Sequence, residues 1–228
     1  MSDHFEDEMQ QLLDQAGALD HGPEQIEILD RAVRLADAHN HLPYGFFARK
    51  RMMSAATFGG APEKALVAFT WCIGQCDRSP DEFDSSELLW EYKWVVSGLK
   101  QFPQITRAQI ESSFEDMSRR YQENGLSLKP IYKLRSMFGI HRGDLDEARR
   151  WQRLWRNTDS GYGNDCAACE LHDQVEFMLF VGKDERAVEM AQPILNNRMR
   201  CAEIPHLTYA HLLLPFMKLG QVEEAYSA

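Results

Sequence analysis

Long apolar runs and a surplus of basic residues are both missing from this sequence. No apolar stretch approaches the roughly 20 residues that a membrane-spanning helix needs. The first ten residues are rich in acids, whereas a secretory signal begins with positive charge followed by an apolar stretch. With 25 basic against 35 acidic residues and a formal charge of -10, the protein lacks the basic footprint of a nucleic-acid-binding protein. We therefore expect a cytoplasmic protein that binds neither nucleic acid nor a membrane.

Strand-like alternation and the common catalytic motifs are absent as well. The sequence has no Gly-x-Ser-x-Gly turn, no His-Glu-x-x-His helix and no glycine-rich phosphate loop. These absences favour a protein that is not an enzyme. A disulfide framework is not expected in the cytoplasm, so the spacing of the five cysteines is considered first as metal or redox chemistry.

Helical periodicity is the dominant pattern that is present. A hydrophobic content of 44% is ample for a continuous core in a protein of 228 residues. Apolar residues recur at helical spacing, for example at Leu171, Val175 and Met178. The pattern predicts helices at 3–18, 23–40, 44–58, 62–78, 85–101, 106–123, 128–141, 144–157, 166–181, 184–200, 206–219 and 221–228.

A short turn signal recurs along the sequence, with a glycine followed five positions later by an alanine and acidic or polar residues between them. Its copies lie at 60–65, 143–148, 182–187 and 220–225, and weaker marks lie at Gly22 and Phe102. These six marks are spaced at intervals of 38 to 42 residues. Glycine accepts the left-handed conformation that commonly ends a helix. Each mark therefore predicts a break between two helices of a repeated hairpin.

This Gly-x4-Ala turn resembles the pattern of the tetratricopeptide-repeat (TPR) family, in which the alanine lets the second helix pack closely. The repeats are longer than the TPR unit of roughly 34 residues, and the aromatic and glycine positions of its first helix are largely unfilled. Other helical-hairpin solenoids fit the same pattern. The resemblance implies an all-α, TPR-like α-solenoid of about five and a half antiparallel helix hairpins, forming one domain over residues 1–228.

The last hairpin is expected to be incomplete. Only eight residues follow Gly220, too few for a full second helix and for the polar capping helix that usually closes a solenoid. We expect either that the natural protein extends beyond Ala228 or that another polypeptide covers this end, for example a second copy through self-association.

The cysteines near the C-terminus form the most specific constellation. Cys166 and Cys169 lie three positions apart at the start of a predicted helix, and Cys201 and His206 follow about one repeat later. Equivalent points of adjacent repeats are neighbours, roughly 10 Å apart in helix packing, so the four ligands can converge. Three thiolates and one imidazole suit tetrahedral Zn²⁺ with no open position. The sequence predicts a structural zinc site formed by Cys166, Cys169, Cys201 and His206.

Two other interpretations of these cysteines stay open. They could be a Cys-x-x-Cys redox or disulfide pair, or ordinary buried cysteines. His172, three positions after Cys169, is a substitute for His206. Cys72 and Cys76 have no histidine or further cysteine one repeat away, so they are expected to pack in the core.

A basic strip is predicted on the inner face, because the first helices of a TPR-like stack line its concave surface. Its residues are Arg51, Lys93, Lys133 and Arg135. Such a strip suits an acidic peptide or the carboxylate at a polypeptide terminus, with Tyr44 and Phe47 adding contact area. Alternatively, these basic residues are part of a solvated helix face with no partner-binding role. The expected function is a protein- or peptide-binding scaffold, and the alternative is a regulatory or sensor protein that responds to a peptide, a small ligand or redox state.

Overall fold

The computed structural model describes residues 2–161, 165–201 and 204–227, and these residues contain α-helices and no strand. The helices are α1 (Ser2–Gly17), α2 (Pro23–Ala38), α3 (Leu42–Phe58), α4 (Pro62–Arg78), α5 (Leu89–Gly98), α6 (Arg107–Glu123), α7 (Lys129–His141), α8 (Leu145–Arg156), α9 (Ala167–Phe180), α10 (Asp184–Leu195), α11 (Ile204–Lys218) and α12 (Val222–Ser227). None of the helices in the described ranges is both long and apolar enough to cross a bilayer. The all-α prediction is confirmed.

Most predicted helix ends agree with the structure to within two residues, and two segments differ. The predicted helix 85–101 is the shorter α5, flanked by the 3-10 turns Ser85–Leu88 and Leu99–Gln101. Helix α10 ends at Leu195 rather than at residue 200. Asn197 stops it there, because its φ of 58° lies in the left-handed region and the right-handed helix cannot continue through that conformation.

The glycines of the four strong turn signals have the predicted left-handed backbone. The φ angles are 79° at Gly60, 69° at Gly143, 72° at Gly182 and 73° at Gly220. Ala65, Ala148 and Ala187, each five positions after its glycine, are buried. Each of these four turns therefore separates two helices, as the sequence predicts. Gly22 differs because its φ of 172° is extended backbone, which leads into α2 at Pro23.

The protein divides into two compact units, Met1–Leu134 and Arg135–Ala228. In the first unit each of α1 to α5 packs against the next helix in sequence, and α3 also packs against α5. The largest side chains in its fully buried interior are Tyr121, Phe114, Met9, Leu29 and Met53. The sequence predicts a single domain over residues 1–228, and that description stays a prediction.

A buried ion network links α4, α5 and α6 in the first unit. Arg120 is 5% exposed, and its Nη2 donates to both carboxylate oxygens of Asp77 at 2.8 and 3.0 Å. Its Nε donates to Asp116, which also accepts from the Tyr92 hydroxyl at 2.8 Å. Burial acts to raise the pKa of Asp116, but the hydrogen bonds from Arg120 and Tyr92 outweigh it and lower that pKa. The buried guanidinium is thus neutralised by two carboxylates.

The second unit is built around α9, α10 and α11. Helix α9 packs against α10 and α11, α10 packs against α11, and α11 packs against α12. One apolar cluster lies between these helices, formed by Val175, Ala187, Val188, Ala191, Leu212 and Phe216. A smaller cluster contains Ala168, Ile194 and Ile204, with Cys169 and Cys201 packed against it. This smaller cluster supports the candidate metal centre.

Candidate metal centre

Cys166 forms the N-cap of α9. Its backbone is extended, and its Sγ accepts a hydrogen bond from the Cys169 N–H at 3.5 Å. A sulfur therefore takes the role that a serine or aspartate oxygen usually has at this position. The positive end of the helix dipole favours a thiolate here. Because Cys169 lies in the first turn, both thiols are at the same end of α9.

Cys201 comes from the connection between α10 and α11 and completes a group of three sulfurs. The Sγ atoms of Cys166 and Cys169 are 3.4 Å apart, and those of Cys169 and Cys201 are 3.7 Å apart. All three sulfurs lie within 4.8 Å of one another. We call this group the cysteine cluster. Three of the four predicted zinc ligands are therefore brought together, although Cys201 is 32 positions from Cys169 in sequence.

The spacing within the cysteine cluster suits a tetrahedral metal. A Zn–S bond of about 2.3 Å implies about 3.8 Å between sulfurs in a tetrahedron. The two distances of 3.4 and 3.7 Å are close to that value. They are far longer than the roughly 2.05 Å of a disulfide bond, and all three cysteines are free thiols. The cysteine cluster could hold a metal ion without a large movement of the backbone.

The thiols of the cysteine cluster differ in acidity. Burial acts to raise the pKa of Cys166, but hydrogen bonds from the Cys169 N–H and thiol outweigh it, so this pKa is lowered. Burial is the main cause of the raised pKa of Cys169, and its hydrogen bonds to Cys166 and Cys201 add to it. Cys166 is therefore more ready than Cys169 to bind a cation. A metal that engages all three must displace the proton of Cys169.

The structure does not bring His206 into the cysteine cluster. His206 is exposed in the first turn of α11, whereas Cys201 lies in the connection that precedes this helix. Its ring nitrogens are not among the ligand atoms that lie within 4.8 Å of the sulfurs. The substitute ligand His172 is 5% exposed, its Nδ1 lies 2.8 Å from Thr208 Oγ1, and it is also outside the cluster. The fourth ligand remains unassigned.

Cys72 and Cys76 are buried in the first unit, and the core-packing prediction for them is confirmed. Burial raises the pKa of Cys72 to about 12 and that of Cys76 to about 11. Both thiols therefore stay protonated at neutral pH, and neither belongs to a group of metal-ligand side chains among the described residues.

The residues of the predicted basic strip lie in different environments. Arg51 is partly exposed, and its Nη1 donates to the Leu13 carbonyl at 2.7 Å. Lys93 is 3% exposed, so its side chain adds little to an open surface, and the partner-binding strip stays a prediction. Its ammonium lies 3.9 Å from the ring centre of Trp90 and 4.6 Å from that of Trp94. Cation–π contact with two indoles explains how a lysine is accommodated there.

Lys133 and Arg135 are both partly buried residues of α7. Lys133 belongs to the first unit and Arg135 to the second. The guanidinium of Arg135 lies 4.6 Å from the ring centre of Trp151 in α8. Stacking on an indole is a common environment for arginine on a helical surface and does not by itself indicate a binding site.

Arg51 lines a cavity of about 540 Å³ in the first unit. The other lining residues include Gln10, Leu13, Asp14, Tyr44 and Phe47. We call this cavity the Arg51 groove. Sequence reasoning identified Arg51, Tyr44 and Phe47 but missed the contribution of α1, because an acidic first helix shows no sign of forming a wall.

No family model matches this sequence, and no curated protein matches it significantly either. The TPR-like resemblance therefore stays a prediction. The cysteine cluster and the Arg51 groove are the features from which a function can be inferred.

Proposed function

We propose that this protein is a helical-repeat scaffold that binds a carboxylate-bearing protein or peptide segment, and that a structural zinc ion stabilises its second unit. The cysteine cluster is the observation that carries this proposal, with sulfurs 3.4 and 3.7 Å apart. A thiolate site of this kind serves the fold rather than catalysis. The protein would then act by binding a partner at its surface.

The zinc ion would join two parts of the second unit that are distant in sequence. Cys166 and Cys169 belong to the start of α9, and Cys201 belongs to the connection before α11. Ala168, Ile194 and Ile204 form the small apolar cluster beneath them. Because such a site is not formed in the unfolded protein, the free energy of zinc binding is added to that of folding.

A TPR-like solenoid is the arrangement we infer for the helices. The left-handed glycines at four turns and the successive packing of α1 to α6 in the first unit support it. First helices of consecutive hairpins also meet, as α3 meets α5 and α9 meets α11. In a solenoid the first helices share one face, and this face would present Arg51.

The Arg51 groove has the chemistry to bind a carboxylate. The hydrogen bond from Nη1 to the Leu13 carbonyl holds the guanidinium in place, and no acidic side chain pairs with Arg51 among residues 2–161. The volume of the Arg51 groove is within the range of about 300 to 1,000 Å³ typical of ligand sites. Phe47 is 48% exposed and offers apolar contact. Asp14 would repel a second negative charge, so we expect a single carboxylate, such as the C-terminus of a peptide.

Arg51→Gln should weaken the binding of such peptides by about tenfold or more, because a charge-assisted hydrogen bond contributes about 1.5–3 kcal/mol. The probe is an array of random-sequence hexapeptides, each with a free C-terminal carboxylate and as its C-terminal amide. The hits are then measured by fluorescence polarisation.

Arg34→Gln is the matched control, since Arg34 is an exposed arginine of α2 outside the Arg51 groove, and we expect it to leave binding unchanged. Equal binding of the amidated peptides, or an effect of Arg34→Gln as large as that of Arg51→Gln, would refute the carboxylate site.

A redox sensor is the second candidate function, favoured by the exposure of Cys166 and the 3.4 Å between its sulfur and that of Cys169. Hydrogen peroxide would oxidise the Cys166 thiolate to a sulfenic acid with release of water. Attack by the Cys169 thiol would then form the disulfide and release a second water molecule.

We expect the metal-free protein to lose two hydrogen atoms in intact-mass measurements after mild peroxide treatment, and the zinc-loaded protein to resist oxidation. Peptide mapping that finds Cys72 or Cys76 oxidised equally fast would argue against a sensor.

A further inference from the structure

A second group of metal-ligand side chains lies between α9 and α11, separate from the cysteine cluster. It consists of His172 and Glu176 on α9 and His211 on α11, and one ligand atom of each lies within 4.8 Å of the others. His172 and Glu176 are four positions apart, so they share one face of α9. Helix α11 packs on α9 and places the His211 ring 5.1 Å from the His172 ring, centre to centre.

The distances in this group are close to those around a divalent metal ion. The His211 Nδ1 lies 3.0 Å from Glu176 Oε1, and the His172 Nε2 lies 4.0 Å from the same oxygen. Metal–nitrogen and metal–oxygen bonds of about 2.0–2.2 Å imply ligand atoms about 3.3–3.6 Å apart in a tetrahedron. The Glu176 side chain is partly exposed, so its carboxylate has room to adjust its position between the two imidazoles.

Thr208 orients the buried histidine of this group. The His172 Nδ1 lies 2.8 Å from the Thr208 hydroxyl, and Thr208 is fully buried. In the tautomer with hydrogen on Nδ1, the ring donates to Thr208 and leaves the lone pair of Nε2 for a metal. An outer-shell hydrogen bond of this kind usually fixes the ring of a metal-binding histidine.

We propose that His172, Glu176 and His211 form a second metal site, which binds Zn²⁺ or a similar divalent transition ion. Two imidazoles and a carboxylate are the ligand set of open zinc sites, which keep a position for water or another oxygen donor. His172 is the buried ligand of this site. His211 has 38% of its side chain exposed, so a metal ion can reach the site from solvent on that side. The exchangeable ligand would be water or a carboxylate.

This site goes beyond the proposed scaffold function, and only its test below rests on the zinc site proposed for the cysteine cluster. Its nitrogen and oxygen ligands are harder than the thiolates of the cysteine cluster, so the two sites differ in spectroscopic signature. The protein is first loaded with one equivalent of Zn²⁺, which the thiolates hold, and then titrated with Co²⁺. We expect one further equivalent of cobalt to bind, with weak visible bands and no sulfur-to-cobalt charge-transfer band.

Replacing one of the ligand side chains should abolish the binding of this equivalent of cobalt. His211→Asn and Glu176→Gln are each expected to weaken cobalt binding by more than about 100-fold, beyond the 10- to 100-fold typical of outer-shell changes. His4→Asn, at an exposed histidine of α1, is the matched control and should bind cobalt as the parent does. Both ligand residues are partly exposed, so the variants should fold, which far-UV circular dichroism checks.

Thr208→Val tests the outer shell with a near-isosteric replacement, and we expect it to weaken cobalt binding by about 10- to 100-fold. The proposal is overturned if no cobalt binds after the equivalent of zinc, if all bound cobalt shows the charge-transfer band, or if His211→Asn binds cobalt as tightly as the parent. In any of those cases the group is only an ion pair between His211 and Glu176.

Discussion

Replacing Cys166, Cys169 and Cys201 together by serine should abolish tight zinc binding and lower the melting temperature of the second unit by about 15 °C or more. A metal present at about 1,000 times its dissociation constant stabilises the folded state by about 4 kcal/mol. In a unit of 94 residues each kcal/mol shifts the melting temperature by about 4–8 °C. Serine hydroxyls stay protonated at neutral pH and cannot replace the thiolates.

Zinc is counted by elemental analysis of protein purified without added metal. Parent and variant both carry His211→Asn, so that the histidine–glutamate group does not contribute. We expect about one equivalent in the parent and less than about 0.2 in the serine variant, with a chelator lowering the melting temperature of the parent alone. Equal zinc content in the two proteins would exclude the cysteine cluster as the site.

His206→Asn added to the same His211→Asn background separates the sequence prediction from the structure. Because the structure leaves His206 exposed and outside the cysteine cluster, we expect this variant to keep its zinc. A loss of zinc similar to that of the serine variant would restore His206 as the fourth ligand.

The features that the sequence predicted well are those determined by local chemistry. A glycine with the left-handed conformation ends a helix whatever surrounds it, so Gly60, Gly143, Gly182 and Gly220 marked the turns correctly. The shortening of α10 could not be predicted in the same way. Asparagine adopts the left-handed conformation only in some contexts, and nothing near Asn197 in the sequence distinguishes it from Asn196.

The metal ligands show the same division between local and non-local information. Cys166 and Cys169 share the start of one helix, and one repeat of separation brings Cys201 close to them. The position of His206 depends on how the backbone enters α11, which spacing does not specify.

The burial of Lys93 was not predicted, because counting back from a turn gives a helical face but not what covers it. Trp90 and Trp94, three positions before and one position after Lys93, enclose its ammonium. The His172–Glu176 pair was readable as an i, i+4 motif. The sequence did not indicate that His211 belongs to the same group, because the packing of α11 places it there.

The contact between α7 and α8 leads to the second large prediction. A Cβ atom added at Gly139 would lie 2.7 Å from the backbone nitrogen of Ala148 and 2.9 Å from its Cα. Ala148 is fully buried, and the Ser136 hydroxyl donates to its carbonyl at 3.2 Å, so α8 is held close to α7. Backbone atoms cannot move away by a change of rotamer. The helices themselves would have to separate.

Gly139→Ala should therefore destabilise the protein, although alanine is the better helix former by about 1 kcal/mol. Overpacking costs about 1–3 kcal/mol, and a clash with backbone belongs at the upper end, so we expect a net loss of about 2 kcal/mol. Gly74→Ala in α4 is the control, because its Cβ would meet only the flexible end of Arg78 at 3.4 Å. That variant should gain about 0.5–1 kcal/mol. Urea unfolding measures both, and hydrogen exchange should show faster opening of residues 145–156 in Gly139→Ala alone. If both substitutions changed the free energy of unfolding in the same direction, the close contact of α7 and α8 at Gly139 would be contradicted.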